Sequence, residues 1–127
     1  MNKGKILVAE NNGAMRLFLT NYLSKAGYSV TAAGNVESFF EKLNGDYHHV
    51  ILLDIGMPKM NGIDIMNLIK RKQILSKVIT FTDNIMIGRA LECMNLGAFG
   101  YMRRPYSLNE LISYIEDAME HQHSKTL

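Results

Sequence analysis

The chain has 127 residues, which is enough for one compact domain and too few for a large enzyme or two linked modules. Fourteen basic and twelve acidic side chains give a formal net charge of +2, too small to predict electrostatic binding to nucleic acid. Hydrophobic residues make up 47% of the chain and suffice for a buried core, but charged residues interrupt every apolar run before it reaches the length of a membrane span.

Five short apolar runs alternate with longer amphipathic stretches, a pattern typical of strand–helix units packed around a parallel sheet. The predicted strands are Lys5–Ala9, Ser29–Ala33, Val50–Leu53, Lys77–Phe81 and Phe99–Met102. The third run is continuously apolar, with the sequence Val-Ile-Leu-Leu, as expected for a strand that is buried on both faces. We therefore expect this strand near the centre of the sheet.

Five helices are predicted in the stretches that follow these strands. The first has one apolar face and ends at Gly27, and the residues of that face are Met15, Phe18, Leu19, Tyr22, Leu23 and Ala26. The last begins at Ser107, which forms a capping box with Glu110. The three middle helices are predicted at Val36–Leu43, Ile63–Arg71 and Met86–Leu96. The whole chain, residues 1–127, is expected to be a single domain with a frayed tail over residues 121–127.

Three weaker signals concern the cellular compartment and the far side of the sheet. Cys93 is the only cysteine, which excludes an internal disulfide and a cysteine-based zinc site and suits a reducing compartment. The N-terminus lacks the apolar stretch of a secretory signal, so we expect a cytoplasmic protein. The His48-His49 pair precedes the third strand, and we expect it to be solvated or to cap the backbone.

Polar side chains follow four of the predicted strands at the points where the strands end. These residues are Glu10, Asn11 and Asn12, then Asp54, then Thr82, Asp83 and Asn84, and finally Arg103 and Arg104. Because the carboxyl ends of parallel strands meet at one edge of a sheet, these side chains should lie close together. An isolated Asp54 could equally be a loop cap, but its polar neighbours favour chemistry.

These residue types suit phosphoryl transfer to a carboxylate. Asp54 could act as the nucleophile if a divalent cation neutralised the crowded negative charge. Oxygen ligands from Glu10, Asp54 and the Gly56 carbonyl would suit Mg²⁺. Thr82 and Arg104 could then hold the phosphoryl oxygens.

Short motifs along nearly the whole chain carry a family resemblance. They are Ile6-Leu7-Val8 followed by an acid, Asp54-Ile55-Gly56-Met57-Pro58 with Asn61-Gly62, Thr82, Leu96-Gly97-Ala98, Gly100-Tyr101, and a basic residue before Pro105. At these positions the chain resembles the receiver domain of bacterial two-component response regulators, the CheY-like family. The resemblance covers Lys5 to about Met119 and implies an α/β fold, a single doubly wound (βα)5 domain of flavodoxin-like type. Its parallel five-stranded sheet would have the order 2-1-3-4-5.

The family resemblance also implies a function. Asp54 would accept a phosphoryl group from a sensor histidine kinase or a phosphotransfer protein, and Thr82, Arg104 and Tyr101 would contact it or carry the switch. The domain would be a switch and not an enzyme, apart from promoting its own phosphorylation and dephosphorylation. It would signal to a downstream protein through the face formed by the fourth helix, the fifth strand and the fifth helix. We expect a monomer or weak homodimer that neither binds nucleic acid directly nor inserts into a membrane.

The implied Mg²⁺ site and the pocket around it depart from the family pattern at three positions. The implied ligands are Glu10, Asn11, Asp54 and the backbone carbonyl of Gly56. Asn11 stands where the family usually has a second acid, so metal binding should be weak. Arg104 replaces the usual lysine, and a guanidinium differs from an ammonium in reach and geometry. Asp83 follows the key hydroxyl where a small residue is usual, and with Asn84 it would modify the rim of the pocket.

These departures motivate a second hypothesis, a degenerate pseudo-receiver that binds a partner protein independently of phosphorylation. The first hypothesis remains a stand-alone phosphorylatable receiver, because Asp54, Thr82 and Glu10 are retained. If the chain were cut from a longer regulator, an output domain would be missing. An independent enzyme of this fold is disfavoured, because no glycine-rich phosphate loop follows the first strand.

Overall fold

The computed structural model describes residues 2–59 and 61–126, with side chains described as far as residue 121. The strands are β1 (Lys5–Ala9), β2 (Ser29–Ala33), β3 (Val50–Asp54), β4 (Lys77–Thr82) and β5 (Gly100–Arg103). The helices are α1 (Gly13–Lys25), α2 (Val36–Gly45), α3 (Gly62–Arg71), α4 (Ile87–Asn95) and α5 (Leu108–Thr126). In this described part of the chain, no helix is both long enough and apolar enough to cross a membrane.

The five strands form one parallel sheet in the order β2-β1-β3-β4-β5, as the family resemblance implies. Every residue of β3 is buried, which confirms its predicted central position. Alternate side chains of the strands enter separate apolar clusters, so that Leu7 and Ile51 belong to one cluster and Val8 and Leu52 to the other. The helices cover this sheet and leave its carboxyl edge to the connecting loops.

Asparagine side chains cap the N-termini of the first three helices. The Oδ1 atoms of Asn12, Asn35 and Asn61 accept hydrogen bonds from backbone N–H groups in the first turns of α1, α2 and α3. These bonds satisfy N–H groups that have no partner within the helix. Ser107 does the same for α5, where its Oγ accepts a bond of 3.0 Å from the Glu110 N–H. The predicted start of the last helix is therefore confirmed.

The apolar face predicted for α1 is only partly buried. Leu19 and Leu23 lie in the core, whereas Met15 and Phe18 are 37% and 47% exposed. The ring of Phe18 instead stacks on that of Tyr22, with 6.0 Å between their centroids. The predicted face is therefore wider than the part of α1 that the core covers, and Met15 and Phe18 near its N-terminal end remain partly exposed. At the other end of the helix, Gly27 has the predicted left-handed conformation, with φ of +107°.

The two histidines before β3 differ from each other. His48 is buried, so it is not solvated, and it lies among the residues at and after the end of α2 and those that precede β4. Burial lowers the pKa of this imidazole from its ordinary value. His49 does interact with the backbone, since its Nδ1 accepts a hydrogen bond of 3.0 Å from the Lys5 N–H.

The ends of several elements differ from the predicted ones. β3 and β4 each continue by one residue, so that Asp54 and Thr82 still pair within the sheet. Helix α5 continues to Thr126 through most of the segment predicted to fray, and Leu127 lies outside the described residues. Asp54 and Thr82 are therefore held by strand pairing and do not lie on free loops.

Candidate functional site

Two buried carboxylates lie side by side at the carboxyl edge of the sheet. Asp54 is the last residue of β3, and Glu10 directly follows β1, the strand next to it. The two residues are 6% and 2% exposed. The Glu10 N–H donates a hydrogen bond of 3.0 Å to the carbonyl of Ala33, which fixes its backbone beside the end of β2. The predicted convergence of these two acids is thus present in the folded chain.

The guanidinium of Arg104 joins the two carboxylates. Its Nη2 lies 2.7 Å from Glu10 Oε1, and its Nη1 lies 3.5 Å from Asp54 Oδ1. The Arg104 N–H also donates a bond of 2.8 Å to the carbonyl of Thr82, which holds this residue beside the end of β4. The Arg104–Pro105 peptide bond is cis. One cation facing two carboxylates leaves a formal charge of −1 when both acids are ionised.

The electrostatics of the acid pair centre on Glu10. Burial is the largest cause that raises the pKa of this carboxyl, from 4.5 to about 7. The hydrogen bond with Asp54 and its negative charge act in the same direction, whereas Arg104 and the Asn12 N–H oppose them. A further cation in the pocket would favour the ionised form of Glu10.

Three other predicted residues make local hydrogen bonds in or beside this centre. Thr82 is buried, and its Oγ1 donates a hydrogen bond of 3.0 Å to the carbonyl of Asp83. Asp83 is exposed, and its Oδ1 accepts a bond of 2.8 Å from the Met86 N–H just before α4. The Asp83 carboxylate is therefore engaged in capping that turn. The carbonyl of Gly56 is a predicted Mg²⁺ ligand. The N–H of the same residue donates a hydrogen bond of 2.9 Å to Asp54 Oδ1.

The remaining predicted residues lie around this centre. Asn11 and Asn84 are exposed on the loops that follow β1 and β4. Tyr101 on β5 is half-buried and packs against the apolar cluster that contains Ala90 and Cys93 of α4. Among the described side chains, those of residues 2–59 and 61–121, no group of three or more His, Cys, Asp or Glu residues could hold a metal ion.

Sequence reasoning missed several residues that support the site. The Arg16 guanidinium donates a hydrogen bond of 2.9 Å to the carbonyl of Glu10. This guanidinium occupies the space beside Gly34. A Cβ atom at position 34 would lie only 2.6 Å from Arg16 Nη1, so this placement of the guanidinium requires glycine. Phe81 lies beside Arg104, and the ring of Tyr106 stacks on that of Phe81. The sequence did contain a signal for Arg16, because it is a basic residue among the apolar residues of the first turns of α1.

Residues 6–116 match the family model described as the response regulator receiver domain. The chain belongs to this family. Among its curated relatives, FixJ of Bradyrhizobium diazoefficiens is 30% identical over 117 residues, which are 92% of this chain and 57% of that protein. NtrC of Azospirillum brasilense is 30% identical over 119 residues, covering 94% of this chain and 25% of the relative. The chain thus spans between a quarter and somewhat more than half of these two regulators.

Solved structures confirm the receiver fold. A response regulator receiver domain protein from Clostridium thermocellum superimposes with a TM-score of 0.86 at 27% identity, covering 94% of this chain and 96% of the other. Full-length FixJ from B. japonicum gives a TM-score of 0.88 at 29% identity, covering 94% and 59%. Receiver domains act as signalling switches in two-component systems and generally bind Mg²⁺ at the phosphorylation site.

Proposed function

We propose that this receiver domain accepts a phosphoryl group on Asp54 and passes its state on through protein contact. The observation that carries the proposal is the buried Asp54 carboxylate, held at the end of the central strand beside the Arg104 guanidinium. In the proposed step an Asp54 oxygen attacks the phosphorus of a phosphohistidine on a sensor kinase or phosphotransfer protein. The P–O bond forms as the P–N bond breaks, and the departing imidazole nitrogen keeps the electron pair and takes up a proton.

The neighbouring side chains supply the groups that this reaction needs. Arg104 places positive charge beside the carboxylates and would bind the phosphoryl oxygens as they arrive. Thr82 would exchange its bond to the Asp83 carbonyl for a bond to a phosphoryl oxygen. We propose that Tyr101, half-buried on β5 against α4, follows this movement and changes the surface formed by α4, β5 and α5.

The oxygen donors of the pocket fit a weakly held Mg²⁺. Glu10 and Asp54 provide two adjacent carboxylates, with the Gly56 carbonyl on the following loop. Bound Mg²⁺ would neutralise the negative charge of the phosphoryl oxygens during attack. Arg104 already neutralises part of the acid pair, and Asn11 is exposed and uncharged, so both features lower the affinity expected for the ion.

A second candidate function is a pseudo-receiver whose partner binding needs no phosphorylation. The observation in its favour is the Arg104 guanidinium, which is itself a cation and pairs with both Glu10 and Asp54. Asp83 does not add to this case. Its carboxylate caps the turn before α4, so it is not a free charge directed at the phosphoryl position.

Intact-mass spectrometry after incubation with acetyl phosphate and Mg²⁺ distinguishes these candidates. The switch predicts the mass of one phosphoryl group on the wild-type chain and its removal by hydroxylamine, which cleaves acyl phosphates. Asp54→Asn should abolish the gain. Asp83→Asn, which alters an exposed acid at the same edge of the sheet, should retain it. Absence of any gain while a control receiver is phosphorylated would favour the pseudo-receiver.

A further inference from the structure

The Arg104 side chain rests on an aromatic ring as well as on the acid pair. Its guanidinium carbon lies 5.3 Å from the centroid of the Phe81 ring, within the range of a cation–π interaction. Phe81 belongs to β4 and directly precedes Thr82. The guanidinium therefore has one contact with an aromatic surface and two with carboxylates.

Phe81 is itself held firmly. Its side chain is completely buried, and its ring stacks on that of Tyr106 with centroids 5.2 Å apart and planes 11° from parallel. Tyr106 lies two residues after Arg104, so the loop between β5 and α5 brings both side chains to the same ring. The charges of Arg104, Glu10 and Asp54 all influence the pKa of Tyr106, which burial raises, so its phenol lies within their field.

We propose that Phe81 is a positioning residue, which holds the Arg104 guanidinium across Glu10 and Asp54 and suits the site to arginine instead of lysine. The inference rests on the proposed phosphorylation of Asp54. A guanidinium is planar, weakly hydrated and able to stack on an aromatic face while its nitrogens bond in other directions. An ammonium is a strongly hydrated point charge and gains less from the ring at this site.

Phe39 provides a matched control for this role. It is also completely buried, but it belongs to the other apolar cluster of the sheet, where its aromatic neighbour is Phe40 with centroids 5.6 Å apart. Phe39→Leu and Phe81→Leu remove similar apolar volume from the core. If Phe81 acted only as a core residue, the two substitutions would change the rate of phosphorylation by similar factors.

The test is a double-mutant cycle that combines Phe81→Leu with Arg104→Lys, using the initial rate of phosphorylation by acetyl phosphate with Mg²⁺. With Arg104 present, we expect Phe81→Leu to lower the rate about fivefold, whereas with lysine at position 104 it should lower the rate less than about twofold. With Arg104 present, Phe39→Leu should change the phosphorylation rate less than about twofold. Phe81→Tyr keeps the aromatic ring and should therefore keep the wild-type rate. Circular dichroism checks that each variant is folded.

An NMR measurement separates this inference from the proposed phosphorylation. The Arg104 Nε–H signal, assigned by its loss in Arg104→Lys, should carry a ring-current shift that disappears in Phe81→Leu and persists in Phe39→Leu. A signal unmoved by Phe81→Leu, or equal rate losses in the arginine and lysine backgrounds, would overturn the positioning role. If the shift disappears as expected but the wild-type chain is never phosphorylated, the positioning role stands and the phosphorylation proposal fails.

Discussion

The raised pKa of Glu10 predicts an unusual pH dependence of stability. In the unfolded chain this carboxyl has the ordinary pKa of 4.5, whereas in the folded chain its pKa is about 7. Between these values the folded state binds more protons than the unfolded state. The free energy of unfolding should therefore decrease as the pH rises from 4.5 through about 7, contrary to the trend for a carboxylate stabilised by an ion pair.

The size of this effect follows from the same two values. At about 1.4 kcal/mol for each pH unit between 4.5 and 7, Glu10 destabilises the folded, metal-free chain by about 3 kcal/mol above neutral pH. Glu10→Gln removes the titrating group and keeps the size of the side chain, so it should remove the decrease.

Urea unfolding followed by circular dichroism, at a series of pH values between about 5 and 8 with EDTA present, measures this dependence. The chelator is needed because a bound cation would favour ionised Glu10. Glu41→Gln, which changes an exposed glutamate of α2, is the matched control and should keep the slope of the wild-type chain. Equal slopes for Glu10→Gln and Glu41→Gln would refute the reasoning.

Three further substitutions test the metal site, the switch and a helix start. Asn11→Asp adds a carboxylate next to Glu10 and should tighten Mg²⁺ binding about tenfold by titration calorimetry; unchanged affinity would place the ion elsewhere. Arg104→Ala should leave Asp54 modifiable at a lower rate and abolish the spectral changes that follow in two-dimensional NMR, and retained changes would remove its switching role. Ser107→Ala deletes the cap of α5 and should lower the free energy of unfolding by about 1 kcal/mol, measured by urea unfolding. An unchanged urea midpoint would show that water replaces the lost hydrogen bond.

The fold was largely predictable because local and global signals agree. Each strand contains a short run of apolar or small residues, and β3, which contains the continuously apolar run Val50–Leu53, occupies the centre of the sheet. The residues at the strand ends could be predicted for the same reason, since strand direction alone brings Asp54 and Glu10 to one edge. The family resemblance was needed for the strand order, because apolar periodicity says nothing about which strands are neighbours.

The finer contacts depend on distances between residues far apart in sequence. Asp83 could be a pocket charge or a cap, and only the position of the Met86 N–H distinguishes the two. His48 looks like a loop residue in sequence, yet neighbouring elements bury it. The contact of Phe81 with Arg104 joins β4 to the residue after β5, and an apolar residue within a strand gives no signal of it.

The most direct test of the account is to locate the phosphoryl group on the chain. After phosphorylation with acetyl phosphate and Mg²⁺, borohydride reduces an aspartyl phosphate to homoserine, and tandem mass spectrometry of the peptides identifies the converted residue. We predict homoserine at position 54 and unchanged aspartate at positions 64 and 83. Conversion at one of those exposed acids, or at no position while a control receiver is converted, would contradict the account.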